Sequence, residues 1–376
     1  MGEVVPAPWG AYFVTGFESC SQVLRDRNWL AVDAAWQERQ DDSQRWNNFA
    51  SQDLNRTLVR LNAPEHTFRR RSLGNLFDRA AMESLTAQIE EEVDRLLDGL
   101  DEGLRAGEAD FVDLVADRLP MSTTGRWLDI PAEDHPTILE HAHVHAWAQE
   151  LLPSPRQLEA ASEAAVELAR YFADLVRARR ELPGEDPVSD WIRTLDGLEQ
   201  DPAVVDEIVE SLAFFIPLAS LETTATLLTS TVWQVLREPG QWAWLAENPS
   251  HVDDAVDEVL RYDPPVRFST RVAGQDMVLA GVALPKDTVV HVMYGAAGHD
   301  PRRNENPRLF DIRRGGSHLS FAAGIHYCLG AALARLVTRT LLVRLLERFP
   351  GLRVTSPPVY EPRMALRRVL SMGVSA

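Results

Sequence analysis

Ser317-His-Leu-Ser-Phe-Ala-Ala-Gly-Ile-His-Tyr-Cys-Leu-Gly330 is the stretch on which the reading of this chain turns. Cys328 stands where a loop feeds a helix predicted over Leu329–Phe349, which ends at Pro350-Gly351. The positive end of a helix and its unpaired backbone N–H groups favour a thiolate over a thiol. A zinc site is excluded, because no second cysteine stands at ligand spacing. Taken alone, the cysteine reads first as a small buried hydrophobe at a helix start, and only the loop around it favours the thiolate.

The surrounding chain has 376 residues, 45% hydrophobic and 25% charged, an ordinary globular composition that can enclose a large pocket. A net charge of −18 argues against nucleic acid as a partner. Arginine supplies nearly all the basic charge, since Lys286 is the only lysine. Cys20 and Cys328 are the only cysteines and lie far apart, so a disulfide framework is not expected and a reducing cytoplasm is. Met1–Thr15 holds Pro6, Pro8 and Gly10 and no long apolar run, which predicts neither a signal peptide nor a membrane anchor.

Working outward, Val204–Arg237 is apolar on most faces from Leu212 to Leu221 and predicts a helix buried through a large domain. Pro217 inside it predicts a kink. Val252–Tyr262 predicts another helix, stopped by Asp263-Pro264-Pro265, and Val278–Val292 predicts a hairpin punctuated by Gly281 and Pro285. Ala11–Val14 reads as a strand and Ser19–Asp26 as a helix. Leu30–Asn55 reads as a polar surface connection, and Glu185–Gln200 as a loop-rich joint. Pro64 to about Leu182 is helical, broken near Gly74, Pro131 and Pro153–Pro155. Gly298–Gly316 is irregular. The sum is mainly α with a small β region in the first and last thirds.

The cysteine stretch resembles the haem-binding signature of the cytochrome P-450 family, Phe-Gly-x-Gly-x-His-x-Cys-x-Gly, at Phe321, Gly324, His326, Cys328 and Gly330. Ala322 replaces the first glycine of that pattern. The resemblance runs from about Ala11 to the C-terminus and implies a single triangular haem domain over residues 1–376, with the leading N-terminal helix short or missing. It implies haem b (iron protoporphyrin IX) as cofactor, with Cys328 as axial thiolate, Phe321 packed beside the sulfur, and Gly324 and Gly330 admitting the backbone close to the macrocycle. Haem carries two propionates. His66 and Arg70 on a Pro-Glu-His-Thr-x-x-Arg helix, with Arg271 and His326, are the implied partners. Glu258 and Arg261 match the family's Glu-x-x-Arg ion pair, a structural pair, and Asn306–Asp311 resembles the meander whose arginine or asparagine contacts lock it.

Dioxygen activation needs protons delivered where bulk water is kept out, and an acid beside a hydroxyl can supply them. Ala219, Ser220, Leu221, Glu222 and Thr223 resemble the family's Ala-Gly-x-(Asp/Glu)-Thr motif. Thr223 is assigned to stabilising dioxygen, Glu222 to the proton route, and Ala219 to the cofactor face. The alternative for Glu222 is a helix carboxylate in a salt bridge. Ser220 in place of glycine, together with Pro217, predicts a distorted oxygen groove.

The implied activity is a bacterial monooxygenase hydroxylating or epoxidising a small organic substrate of secondary metabolism. Ferredoxin and ferredoxin reductase would be its electron donors, without nucleic-acid or membrane partners. Arg70, Arg71, Arg335 and Arg339 would form a docking patch for the acidic ferredoxin. Substrate contacts are expected from Leu30–Leu58, Ala142–Arg156, Phe214–Thr223, Val266–Thr270 and Met364–Leu366. His141, His143 and His145 are weighed as a metal cluster or, in preference, as pocket histidines meeting a polar substrate. Two rivals remain: oxidative cross-linking of an aryl or peptide substrate, and a non-catalytic partner protein.

Overall fold

In a computed structural model the chain is described at residues 2–40, 43–74, 76–199, 201–238 and 240–376. Along the chain run β1 (Val4–Pro6), β2 (Tyr12–Val14), α1 (Phe17–Arg25), β3 (Trp29–Leu30), α2 (Ala34–Gln37), α3 (Ser43–Trp46), α4 (Phe49–Leu54), α5 (Glu65–Ser72) and α6 (Arg79–Ser84). There follow α7 (Thr86–Arg105), β4 (Ala109–Asp110), a π turn at Val112–Ala116, α8 (Arg118–Trp127), α9 (His135–His145), α10 (Pro155–Glu181) and α11 (Pro187–Asp196). The last part holds α12 (Pro202–Arg237), α13 (Gln241–Glu247), α14 (Val252–Tyr262), β5 (Phe268–Ala273), β6 (Met277–Leu279), β7 (Val282–Leu284), β8 (Val289–Met293), α15 (Tyr294–Gly298), α16 (Ala331–Arg348), β9 (Arg353–Tyr360) and β10 (Val369–Ser375). The mainly α class with a small β component is therefore observed. No helix among the described residues is long and apolar enough to cross a membrane.

The chain folds as two compact units, one of residues 1–29, 82–120 and 222–376, the other of 30–81 and 121–221. The first contains a sheet of order β1-β2-β8-β5-β3. In it β2 runs parallel to β8 (Tyr12 opposite Val290) and β5 antiparallel to β8 (Phe268 opposite Met293). Alternating Val14, Val290 and Val292 bury one face with Cys20 and Val23 of α1 and with Leu319 and Ala323 of the cysteine loop. The sheet and α1 thus form the floor on which that loop rests. Burial pushes the Cys20 thiol up to about 12, which leaves it an inert core residue. Arg344 and Arg348 of α16 reach Asp94 of α7, and Arg348 also donates to Asp98 at 2.6 Å. A second sheet has order β4-β10-β9.

In the second unit, α10 spans 27 residues behind a capping box in which Ser154 and Gln157 exchange bonds, with Pro155 in the first turn. Its small residues Ala161 and Ala165 let Ala50, Leu54 and Ala148 pack closely.

Three expectations are corrected. Leu30–Asn55 is not an irregular connection: α2 and α4 form there because the side chains of Asp33 and Asn48 accept from the N–H groups of Trp36 and Ser51. Glu185–Gln200 holds α11, begun by the Asp186 cap and Pro187 and anchored by buried Trp191, Ile192 and Leu195. The hairpin at 278–292 is confined to β6 and β7, turning at Ala280 and Gly281, both at positive φ, while β8 leaves for the larger sheet. The 36-residue α12 stays helical through Pro217.

Candidate active site

The cysteine loop is closed by a bond from the Cys328 N–H to the Phe321 carbonyl, 2.9 Å. Closing it takes two left-handed residues, Ala322 (φ 57°) and Gly324 (φ 68°). The family glycine that Ala322 replaces is thus a conformational requirement, and here a Cβ bears the strain. Gly324 also meets a requirement set within the chain. A Cβ there would lie 2.3 Å from the Leu24 carbonyl oxygen, so the close contact with the end of α1 by itself requires glycine. At Gly330 a Cβ would meet no protein atom within 4 Å, so packing within the chain does not require glycine there. Cys328 is half-buried two residues before Gly330, the N-cap of α16. Phe321 is buried, with the Arg335 guanidinium 4.6 Å over its ring and the rings of His318 and Tyr327 at 5.6 and 6.5 Å.

Arg271 on β5 decides whether the residues suit haem. It is buried, and its hydrogen bond among the described residues is to the Thr270 carbonyl, 2.8 Å, with no carboxylate in ion-pair reach. Desolvation accordingly holds its pKa below the usual arginine range. A buried cation without a counter-charge is costly and calls for an anion, which a propionate would supply. His326 ends a short 3-10 turn (Gly324–His326), half-buried. In the other unit, His66 is buried and Arg70 half-buried, one turn apart on α5.

Glu258 and Arg261 pair as expected on α14, both side chains fully buried (2.6 and 2.8 Å). Arg261 spends its remaining N–H groups on the carbonyls of Gly298, Pro307 and Leu309, so all five donors are used. Glu258 also accepts from the Asp311 N–H and from Arg314, at 2.9 and 3.3 Å. The meander locks the pair through its backbone and through Arg314, a residue beyond the Asn306–Asp311 match.

On α12 the stretch from Ser211 to Val232 is buried except at Phe215, Ala219, Ser220 and Thr223. Those residues form one stripe at helical spacing, which places Ala219 and Thr223 on the same accessible face. Ser220 Oγ donates to the Pro217 carbonyl (2.9 Å) and lies 3.1 Å from Thr124 Oγ1. Glu222 does not share that face. Its two carboxylate oxygens accept from Arg363 Nη1 at 2.8 and 2.7 Å, with Glu222 4% and Arg363 0% exposed at the side chain. The salt-bridge alternative for Glu222 is therefore the arrangement observed. Arg363 was missed because 141 residues separate it from Glu222 and no local pattern marks it.

The arginine patch is partly neutralised. Arg335 binds Asp257 at 2.7 Å, and Arg339 lies 3.9 Å from Asp253. Burial pushes the Asp257 carboxyl up, but bonds from His318 and Arg335 outweigh it and hold its pKa low. Among the described residues no three His, Cys, Asp or Glu side chains gather to hold a metal. His141 instead lines a surface cavity with Asp134, Tyr171 and Asp174. His145 is buried edge-on to Phe214, ring centroids 5.3 Å apart.

A cytochrome P450 profile matches residues 247–371, a span that includes the Glu258–Arg261 pair and the cysteine loop. Cytochrome P450 107B1 of Saccharopolyspora erythraea is 31% identical over 354 residues, covering 93% of this chain and 84% of the relative. The chain belongs to the cytochrome P450 family. This P450 is also 32% identical over 291 residues to 6-deoxyerythronolide B hydroxylase of the same organism, covering 77% and 69% of the two chains. The crystal structure of P450BioI in complex with an acyl carrier protein superposes with a TM-score of 0.88, at 28% identity over 97% of this P450 and 92% of that chain. The fold, the haem-thiolate chemistry and the monooxygenase class follow from that membership.

Proposed function

We propose that this P450 binds haem b through the Cys328 thiolate and hydroxylates or epoxidises a small organic substrate of bacterial secondary metabolism, in the cytoplasm, with electrons from a ferredoxin and its reductase. On this reading residues 1–376 act as one haem domain. When bound, the haem supplies dioxygen activation, to which a thiolate ligand contributes electron density. Cys328, before the N-terminus of α16, is the residue suited to hold the iron, and the closed loop from Phe321 fixes its backbone. Arg271, His326, His66 and Arg70 are the propionate partners, which orient the group through charge-assisted bonds. Buried Phe321 limits water near the sulfur.

Thr223, on the accessible stripe of α12 beside Ala219, offers a hydroxyl to hydrogen-bond the oxygen being activated. Glu222 holds the exchangeable carboxyl on the proton route. The relative named 6-deoxyerythronolide B hydroxylase supports hydroxylation of a secondary metabolite. The observation that carries the reading is Arg271, a buried cation on β5 with no carboxylate partner among the described residues.

The test is Arg271→Met, with haem per polypeptide measured by pyridine haemochrome. The expected result is a several-fold loss of haem from a chain that keeps its far-UV dichroism. Undiminished haem content would refute the assignment.

A further inference from the structure

His291 lies on β8, the central strand of the larger sheet, and faces away from the side that Val290 and Val292 bury against α1. Phe13 of β2 and Thr270 of β5 stand opposite it in register on either side. Trp9, on the exposed turn between β1 and β2, closes over it. An indole N–H only donates, so His291 Nε2 is the acceptor, at 3.2 Å. The neutral ring then carries its proton on Nδ1 and donates to Thr270 Oγ1 at 3.0 Å. The rings of Trp9, Phe13 and Phe268 stand 6.0, 5.8 and 5.2 Å from the imidazole, which is 1% exposed. Among the described residues no charged side chain faces it from the turn, from β2 or from β5, and Val4–Phe17 carries no charge at all. Burial alone therefore pushes its pKa down, to about 4. Trp9 is 40% exposed between Pro8 and Gly10, with Gly10 at φ 83°, so its outward rotation disturbs no strand.

A proton on Nε2 sets two N–H donors against each other and leaves a buried cation without a counter-charge. We propose that the β1–β2 turn is an acid-released latch: Trp9 closes over His291 only while that ring is neutral, and protonation turns Trp9 out and frees β5 at Thr270. Arg271 follows Thr270 and donates to its carbonyl. Acid release therefore also loosens the hold on haem, a consequence that rests on the reading of Arg271 as a propionate partner. Once open, the wetted ring regains its ordinary value near 6.5, so the closed form loses ground as pH falls through that value. The open-to-closed ratio is nearly flat above pH 7 and rises about tenfold from pH 7.5 to 5.5.

The experiment follows solvent exchange of the Trp9 indole N–H by NMR in the full-chain holoprotein at pH 7.5 and 5.5, with Trp9→Ala to assign the signal. His291→Gln is the reference at each pH, because its side-chain oxygen accepts from Trp9 but does not titrate. Protection of Trp9 in wild type relative to His291→Gln is expected to fall about tenfold at the lower pH. The same relative protection at both pH values overturns the latch. Amide exchange over Phe268–Val272 tests it without altering His291. Protection there in wild type relative to Trp9→Ala is expected to fall by a similar factor, and a pH-independent ratio also overturns the proposal. Haem transfer to apomyoglobin at the same two pH values reads the consequence, with acceleration at pH 5.5 expected in wild type and absent in His291→Gln. Equal transfer from the two proteins, with Trp9 released as expected, refutes the link from the latch to Arg271. Undiminished haem in Arg271→Met instead sinks the reading of Arg271 itself.

Discussion

Gly324→Ala isolates the geometry of the cysteine loop. The added Cβ would lie 2.3 Å from the Leu24 oxygen, 3.1 Å from Arg25 Cα and 3.3 Å from the Leu24 carbonyl carbon, all backbone atoms that no rotamer can move. Ordinary contact begins near 3.4 Å, so loop and helix must part by about 1 Å. Overpacking of that kind costs about 1–3 kcal/mol. Holding alanine at φ 68° adds about 1–2 kcal/mol. The two together predict a loss of about 3 kcal/mol, because partial relaxation relieves some of each. The displaced segment includes Phe321 and Cys328, so haem occupancy should fall along with stability. The assay is urea unfolding of the holoenzyme together with haem per chain. A Gly324→Ala protein with the wild-type midpoint and full haem would show that the contact with α1 does not shape the site.

Ala322→Gly acts in the opposite direction, relieving a Cβ held at φ 57°. A gain of up to about 1 kcal/mol is expected in the same assay, limited by the extra freedom of glycine in the unfolded chain. Arg261→Ala leaves the buried Glu258 carboxylate without its main partner and should cost about 3–5 kcal/mol, measured as lost soluble holoprotein and a lower unfolding midpoint. His145 and His291 are both pushed down to about 4 by burial, so the folded chain keeps them neutral where the unfolded chain binds protons. Stability is then unaffected by these histidines above their ordinary value near 6.5 and falls as pH drops toward 4, by about 2 kcal/mol per histidine at pH 5. Replacing His145 by Phe should flatten its share of that slope, read from unfolding midpoints at pH 5 and 7.5.

The site was legible in sequence where its chemistry is local. Phe321 to Gly330 is one loop, Glu258 and Arg261 share a helix face at i,i+3 spacing, and the apolar run of α12 announces a buried helix. Short helices were illegible because their interiors are polar, although Asp33, Asn48 and the Asp186-Pro187 pair carried the capping signal. What depends on the third dimension could not be read at all. The Leu24 carbonyl that requires glycine at 324, the absence of a carboxylate around Arg271 among the described residues and the turn of Glu222 toward Arg363 all arise between segments distant in the chain. Neighbours in a helix lie about 100° apart, so the sequence alone does not say that Glu222 is buried against Arg363 while Thr223 stays accessible.

The most direct test of a haem held by Cys328 is the carbon monoxide difference spectrum of the dithionite-reduced, freshly purified protein. The account predicts the strongly red-shifted Soret band of thiolate-ligated haem, lost in Cys328→Ser. Haem-free protein, or an unshifted band in native wild type, would contradict it.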